Sequence, residues 1–196
     1  MTSEYIYEVL KSYYSRKQNK YVLRNCFVFG QWEADFFVQT RALLCIEFEV
    51  KVSRSDFLAD FKHKPLKHLT LKTKKKYGEH QVRQGKTWVK EIKEYPNMVP
   101  NIPNYFYYVV PYELIAANEV PEYAGLAYVD KSYQLSIVKK APKLHTVKHN
   151  MEPFLCDKFY YYWQRAMEEV RWKNIENDTL KRNVEALKNK LTSKVV

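Results

Sequence analysis

Apolar and polar positions change their period several times along the chain. Ile6, Val9, Leu10 and Tyr13 recur at helical spacing, so residues 2–15 are expected to form a helix capped by Ser3. Residues 21–30 are apolar and partly alternating, which predicts a strand. "WEADFFVQT" and "ALLCIEFEVK" read as two more strands, and the short gap near Thr40–Arg41 suits a hairpin. The period then returns to helical. Ser53 or Ser55 can cap the segment "SDFLADFKHK", Asp56 stands in its first turn, and Pro65 ends or kinks it.

Residues 67–104 hold many lysines, few core candidates, and Pro96, Pro100 and Pro103 near their end. They predict an excursion from the core, a loop or a small hairpin. "NYFYYVVP" has the profile of a central strand, and "GLAYVDKSYQLSIVKK" reads as two strands with a turn near Asp130–Ser132. "MEPFLCDKFYYYWQRAMEEVRW" predicts a long helix from about Glu152. It is apolar on much of its circumference, so it is expected to be largely buried, with the "FYYYW" run at 159–163 serving as core packing. Beyond Trp172 the composition turns polar. Leu180, Val184, Leu187 and Leu191 follow 4-3-4 spacing there, which suits a short amphipathic or coiled-coil segment. There are no internal repeats. The order helix, three strands, helix, strand, short strands, helix predicts an α/β fold around a mixed sheet. The expected domain spans residues 1–172, with an insertion at 69–103 and a C-terminal helical tail at 173–196.

Charge changes this picture. Lys and Arg number 33 against 22 Asp and Glu, a net +11 that attracts polyanions. Nucleic acid is the first partner implied and an anionic membrane surface the second. No apolar run approaches the roughly 18 residues of a membrane span, so no membrane partner is expected. Cys26, Cys45 and Cys156 are odd in number and widely spaced in apolar surroundings. That argues against a disulfide framework or a zinc site and for buried thiols in a reducing compartment. The N-terminal residues lack a signal-type apolar core, and a cytoplasmic location is expected.

The chemistry concentrates in "EFEVKVSRSDFLADFK", residues 47–62. In a strand, residues two apart share a face, so Glu47, Glu49 and Lys51 point one way while Ile46, Phe48 and Val50 point the other. Pairing with "WEADFF" would bring Glu33 and Asp35 towards Glu49, converging four carboxylates beside one lysine. Clustered carboxylates repel and raise one another's pKa, and a divalent cation relieves that repulsion. Carboxylate, carbonyl and water oxygens are the ligands Mg2+ and Mn2+ prefer. Such a metal can polarise a phosphodiester and activate water, and an adjacent lysine can stabilise charge developing on phosphate. Alternating Glu and Lys is also what a solvated sheet face looks like.

Asp35, thirteen intervening residues, then Glu49-Val50-Lys51 resembles the PD-(D/E)xK nuclease pattern. "EFEVKVSRSDFLADFK", "KH" at 67–68, "YYVVP" at 107–111 and "EVPEYAGLAYV" at 119–129 resemble the MmcB-like DNA-repair branch of that superfamily, which includes bacterial and phage proteins. The resemblance covers about residues 32–145, interrupted at 69–103. It implies a restriction-endonuclease-like core of order α-β-β-β-α-β and metal-dependent cleavage of DNA. By position, it makes Asp35 and Glu49 the metal-binding acids, the Val50 carbonyl a further ligand of Mg2+ or Mn2+, and Lys51 the catalytic lysine. Ala34 stands where the pattern has proline, a departure at a position that varies widely in the superfamily.

Around this set, Glu33 and Glu47 could hold a second metal or orient Lys51, and Glu8 could reach the site from the first helix. Arg54, Lys62, Lys64, Lys67 and His68 follow the motif and are candidates for phosphate contacts on DNA, extended by Lys72, Lys74, Lys75 and Lys76. His145 and His149 read as surface residues. A homodimer is compatible with such a fold. The rival readings are a DNA-binding module that kept the fold without catalysis, and an interaction subunit working through its C-terminal helix.

Overall fold

The computed structural model describes the chain except residues 16, 18, 28, 30, 31, 86, 99 and 193–196 and the side chains of residues 190–192. It is mixed α/β. Helix α1 (Ser3–Ser15) is followed by strands β1 (Asn19–Cys26), β2 (Ala34–Thr40) and β3 (Cys45–Val50). Helices α2 (Arg54–His63) and α3 (Pro65–Thr73) come next, then the hairpin strands β4 (Tyr77–Gln84) and β5 (Thr87–Glu94). Strands β6 (Tyr105–Pro111), β7 (Gly125–Val129) and β8 (Leu135–Lys139) and helix α4 (Glu152–Thr192) complete the order.

One sheet carries six strands in the order β1-β2-β3-β6-β7-β8, while β4 and β5 pair only with each other. The pairs β1–β2, β2–β3 and β7–β8 are antiparallel, and β3–β6 and β6–β7 are parallel. Parallel strands need long crossovers, and residues 51–104 supply one between β3 and β6. That crossover contains α2 and α3, which is why they lie where β3 ends.

Alternation along β3 serves two layers. Phe48 and Val50 join Phe36, Val38, Val109 and Val129 in a cluster with Ile6, Val9, Leu10 and Tyr14 of α1. The opposite side packs Phe106, Tyr108 and Val110 against Phe57 of α2 and Leu71 of α3. Glu47 and Glu49 register beside Phe106 and Tyr108 of β6, so their side chains enter this second, covered layer.

Several local expectations are corrected. Thr2 rather than Ser3 caps α1, because its hydroxyl accepts the Tyr5 amide at 3.3 Å. Ser53 does cap α2, accepting from the Asp56 amide at 3.2 Å. The lysine-rich excursion is α3 followed by the β4–β5 hairpin, and α3 contributes the buried Leu71.

The compact units are residues 1–150 and 151–196. The expected division at 172/173 falls inside α4, which runs on because no glycine or proline interrupts residues 173–192. The expected burial of its first half is also corrected. Phe159, Tyr160, Tyr161, Tyr162, Trp163, Met167, Val170 and Trp172 are exposed. Cys156 is exposed too, whereas Cys26 and Cys45 are buried. Among the described residues, no helix is long and apolar enough to cross a membrane.

Candidate functional site

The β2–β3 register pairs Phe37 with Glu47 and Phe36 with Phe48, which sets Asp35 opposite Glu49. Asp35 Oδ2 accepts the Val50 amide at 2.8 Å, fixing that carboxylate at the end of β3. Glu49 is fully buried, and three ammonium groups surround it. Lys51 Nζ lies 3.0 Å from Oε1, Lys64 Nζ bonds the same oxygen, and Lys67 Nζ lies 2.6 Å from Oε2.

Helices α2 and α3 close the cluster. Phe57 and Asp60 turn inward on α2, and the break at Lys64–Pro65 lets α3 turn Lys67 and His68 inward as well. Lys51 donates to Asp60 Oδ1 at 2.8 Å, and the Tyr108 hydroxyl donates to Oδ2 at 3.1 Å. His68 Nε2 stands 2.9 Å from Asp60 Oδ2, a close contact poorly aligned for a hydrogen bond, while its Nδ1 pairs with the Tyr123 hydroxyl at 2.8 Å. Lys67 bridges Glu49 to Glu47, 2.7 Å from Glu47 Oε1, and the Trp32 indole donates to both Glu47 oxygens at 3.0 and 3.1 Å.

The electrostatics are uneven. Burial alone would raise the Glu49 carboxyl, but Lys67, then Lys51 and Lys64, outweigh burial and the repulsion of Asp60 and hold it below its ordinary value. Burial would likewise raise Asp60, yet its close contact with His68 and its bond to Lys51 push it far down. Lys51 goes the other way. Burial disfavours its charge, and the carboxylates of Glu49 and Asp60 restore it and raise the pKa. Asp35 is the exception among the acids. Burial, and after it the charge of Glu49, push its carboxyl up to about 6, against the pull of the Val50 amide and of Lys64 and Lys67. Among the described residues Asp35 forms no ion pair. Glu47, Glu49 and Asp60 thus share the ammoniums of Lys51, Lys64 and Lys67, the half-exposed Asp56 adds a contact to Lys51 at 3.7 Å, and Asp35 stands beside them held by the Val50 amide.

The structure brings Asp35, Glu47, Glu49, Val50 and Lys51 together. Glu33 and Glu8 are exposed and stand outside the ion-pair cluster, and Asp60 takes the place expected for Glu33 as the fourth acid. Lys67 and His68 do not form a phosphate-gripping surface. Both are buried, because their partners are the carboxylates beneath them. Lys64 is 36% exposed and straddles the two roles. Arg54 is exposed and forms a bidentate pair with Glu119, and Lys75 pairs with Glu94 at 2.9 Å. Lys62, Lys72 and Lys74 are exposed and Lys76 is half-buried. His145 and His149 are half-buried rather than surface residues, and His145 Nε2 contacts the Ile102 carbonyl at 2.9 Å.

Sequence reasoning gave Asp60, Tyr108 and Trp32 no role in the site. Asp60 carried a signal in its place three residues after Phe57, on the side of α2 that must face the sheet. Tyr108 carried one as a polar-tipped residue in an apolar strand.

Asp35, Glu49 and the Val50 carbonyl offer the oxygen donors that a hard divalent cation takes, but Lys51 and Lys64 hold Oε1 of Glu49 and Lys67 holds Oε2. Among the described residues no three Asp, Glu, His or Cys side chains are grouped as a metal-ligand set.

No family model matches the chain, and no curated protein matches it. Among solved structures, a protein of unknown function from Silicibacter pomeroyi is similar at 19% identity, over 76% of this chain and 78% of that chain, with a TM-score of 0.45.

Proposed function

We propose that the Asp35–Glu49–Lys51 cluster is the active site of a metal-dependent nuclease of restriction-endonuclease-like core, hydrolysing phosphodiester bonds in DNA. One observation carries this reading: Asp35, which forms no ion pair among the described residues, stands directly across from Glu49 and on the strand face shared with Lys51. A solvated sheet face would leave these groups in water, whereas Glu49 and Lys51 are buried here. The net charge of +11 suits a polyanionic substrate, and the resemblance to PD-(D/E)xK nucleases favours DNA.

One Mg2+ or Mn2+, held by Asp35, Glu49 and the Val50 carbonyl, would supply Lewis acidity at the scissile phosphate and a more acidic attacking water. The chain's own residues do the rest. Asp60 holds the Lys51 ammonium in place, and its charge is secured by Glu49 and Asp60 together. So fixed, Lys51 stabilises the charge that grows on the phosphoryl oxygens during in-line attack. Lys64, at the edge of the cluster, exchanges Glu49 for a phosphate oxygen. Arg54, Lys62, Lys72, Lys74, Lys75 and Lys76 contact flanking phosphates.

A specific observation favours a second reading. Both oxygens of Glu49 are already bound by lysines, which suits a DNA-binding module that kept the cluster for stability. A cleavage assay separates the two. Wild type, Lys51→Ala and Glu49→Gln are incubated with labelled single-stranded, duplex and branched DNA in Mn2+, Mg2+ or EDTA. Metal-dependent cleavage lost in both variants supports the nuclease. Salt-sensitive binding without cleavage under every metal supports the binding module.

A further inference from the structure

We infer that α4 joins two copies of this chain as a parallel two-stranded coiled coil, with Asn177 of each copy meeting at its centre. The helix is continuous from Glu152 to Thr192. From Trp163 to Leu187 a seven-residue frame places Trp163, Val170, Asn177 and Val184 at a and Ala166, Lys173, Leu180 and Leu187 at d. Trp163, Val170, Leu180, Val184 and Leu187 are each at least half exposed, so this seam is an apolar stripe open to solvent in the single chain. The stretch extends about 37 Å at 1.5 Å per residue, more than three heptads.

Residue choice along the seam points to the number of strands. β-Branched Val at a with Leu at d favours two helices. A lone Asn at an a position selects the in-register parallel dimer, because only there does its amide meet another amide. Lys173 at d interrupts the apolar run and is paired within its own helix to Glu169 at 3.0 Å. Trp172 and Ile175 are exposed outside the seam.

Flanking charge selects the second copy and its direction. The g positions carry Glu169, Glu176 and Asn183, followed by Lys190, and the e positions carry Met167, Asn174, Lys181 and Lys188. A parallel pair sets each g against the e five residues on in the other helix, so Glu176 meets Lys181 and Glu169 meets Asn174. An antiparallel pair would set g against g and e against e, and so lose the match of Glu176 with Lys181. Lys181 already lies 3.6 Å from Asp178 of its own helix, so the interhelical pair extends an existing one. Leu191, in the next a position, has its side chain outside the described residues.

The test uses the full chain. Sedimentation equilibrium from micromolar to hundreds of micromolar is expected to give a species of twice the 23.6 kDa chain mass. Leu180→Glu with Leu187→Glu should weaken the dimer more than about a hundredfold while circular dichroism shows retained structure. Asn177→Cys in a Cys156→Ser background, treated with oxidised glutathione, should form a disulfide-linked dimer through position 177. A monomer at every concentration, a trimer, or a dimer untouched by the double substitution would overturn the proposal. Failure of the cross-link at 177 would overturn the parallel register.

Discussion

Lys67 of α3 binds Glu49 of β3 at 2.6 Å while only 2% exposed, and the same ammonium holds Glu47 at 2.7 Å. One cation thus neutralises two carboxylates that share a strand face. Lys67→Met would leave Glu47 buried with no cation among the described residues and Glu49 with only Lys51 and Lys64, a loss of about 3–5 kcal/mol. At the half-exposed Lys64, which binds the other oxygen of Glu49, the same change should cost less than about 1 kcal/mol. Urea unfolding of the two variants measures the contrast, and equal losses would show that burial does not set the strength of these pairs.

On the proposed nuclease reading, Lys64 competes with the metal for Glu49. Its departure leaves Glu49 Oε1 with Lys51 alone, without disturbing the pair to Lys67. On the proposed nuclease reading, Lys64→Ala should bind Mn2+ about tenfold more tightly than wild type. Free Mn2+ followed by electron paramagnetic resonance gives the constant directly. Weaker binding in the variant would mean that Lys64 supports a metal site rather than competing with it.

Much of this arrangement was legible in the chain itself. Alternation in residues 45–50 and the helix start at Ser53 were readable because each is a local pattern. The turn from strand to helix then places Lys51 beside α2. The roles of Lys67 and His68 were not readable. A lysine-rich stretch looks like a solvated surface until the crossover folds it over acids distant in sequence, and only that tertiary contact shows that the positive charge is spent inside. Asp60, by contrast, carried a local signal in its place three residues after Phe57 on α2. The exposed aromatic run of α4 misled because an apolar circumference signals burial without saying whether the cover comes from the same chain.

Asp35 gives the site a pH signature. Its folded pKa of about 6 lies above the ordinary carboxylate value, so the protonated form is favoured in the folded state. Full stability therefore belongs to pH below about 4 for this group and falls as pH rises through about 4–6, by about 2–3 kcal/mol. Glu49 and Asp60, whose pKa values are lowered, act with the opposite sign and lose their contribution only in stronger acid. Asp35→Asn removes the first effect alone. Denaturant unfolding of wild type against Asp35→Asn at pH 4, 5, 6 and 7 should show the variant gaining relative stability across that window. A constant difference would mean that Asp35 ionises without penalty.

Exposure sorts the lysines that can reach a nucleic acid. Lys62, Lys72 and Lys74 are exposed and form no ion pair among the described residues, whereas Arg54 and Lys75 are held by Glu119 and Glu94. If all three free lysines sit on phosphates, replacing them together with alanine removes about three counterion-release terms. The slope of log affinity against log salt should then flatten by about 2.7 on duplex DNA. Lys67→Met, by contrast, should leave the slope unchanged wherever the variant stays folded, because its ammonium never meets solvent. Fluorescence anisotropy titrations across a salt series measure both. An unchanged slope in the triple variant would move the phosphate contacts away from this face.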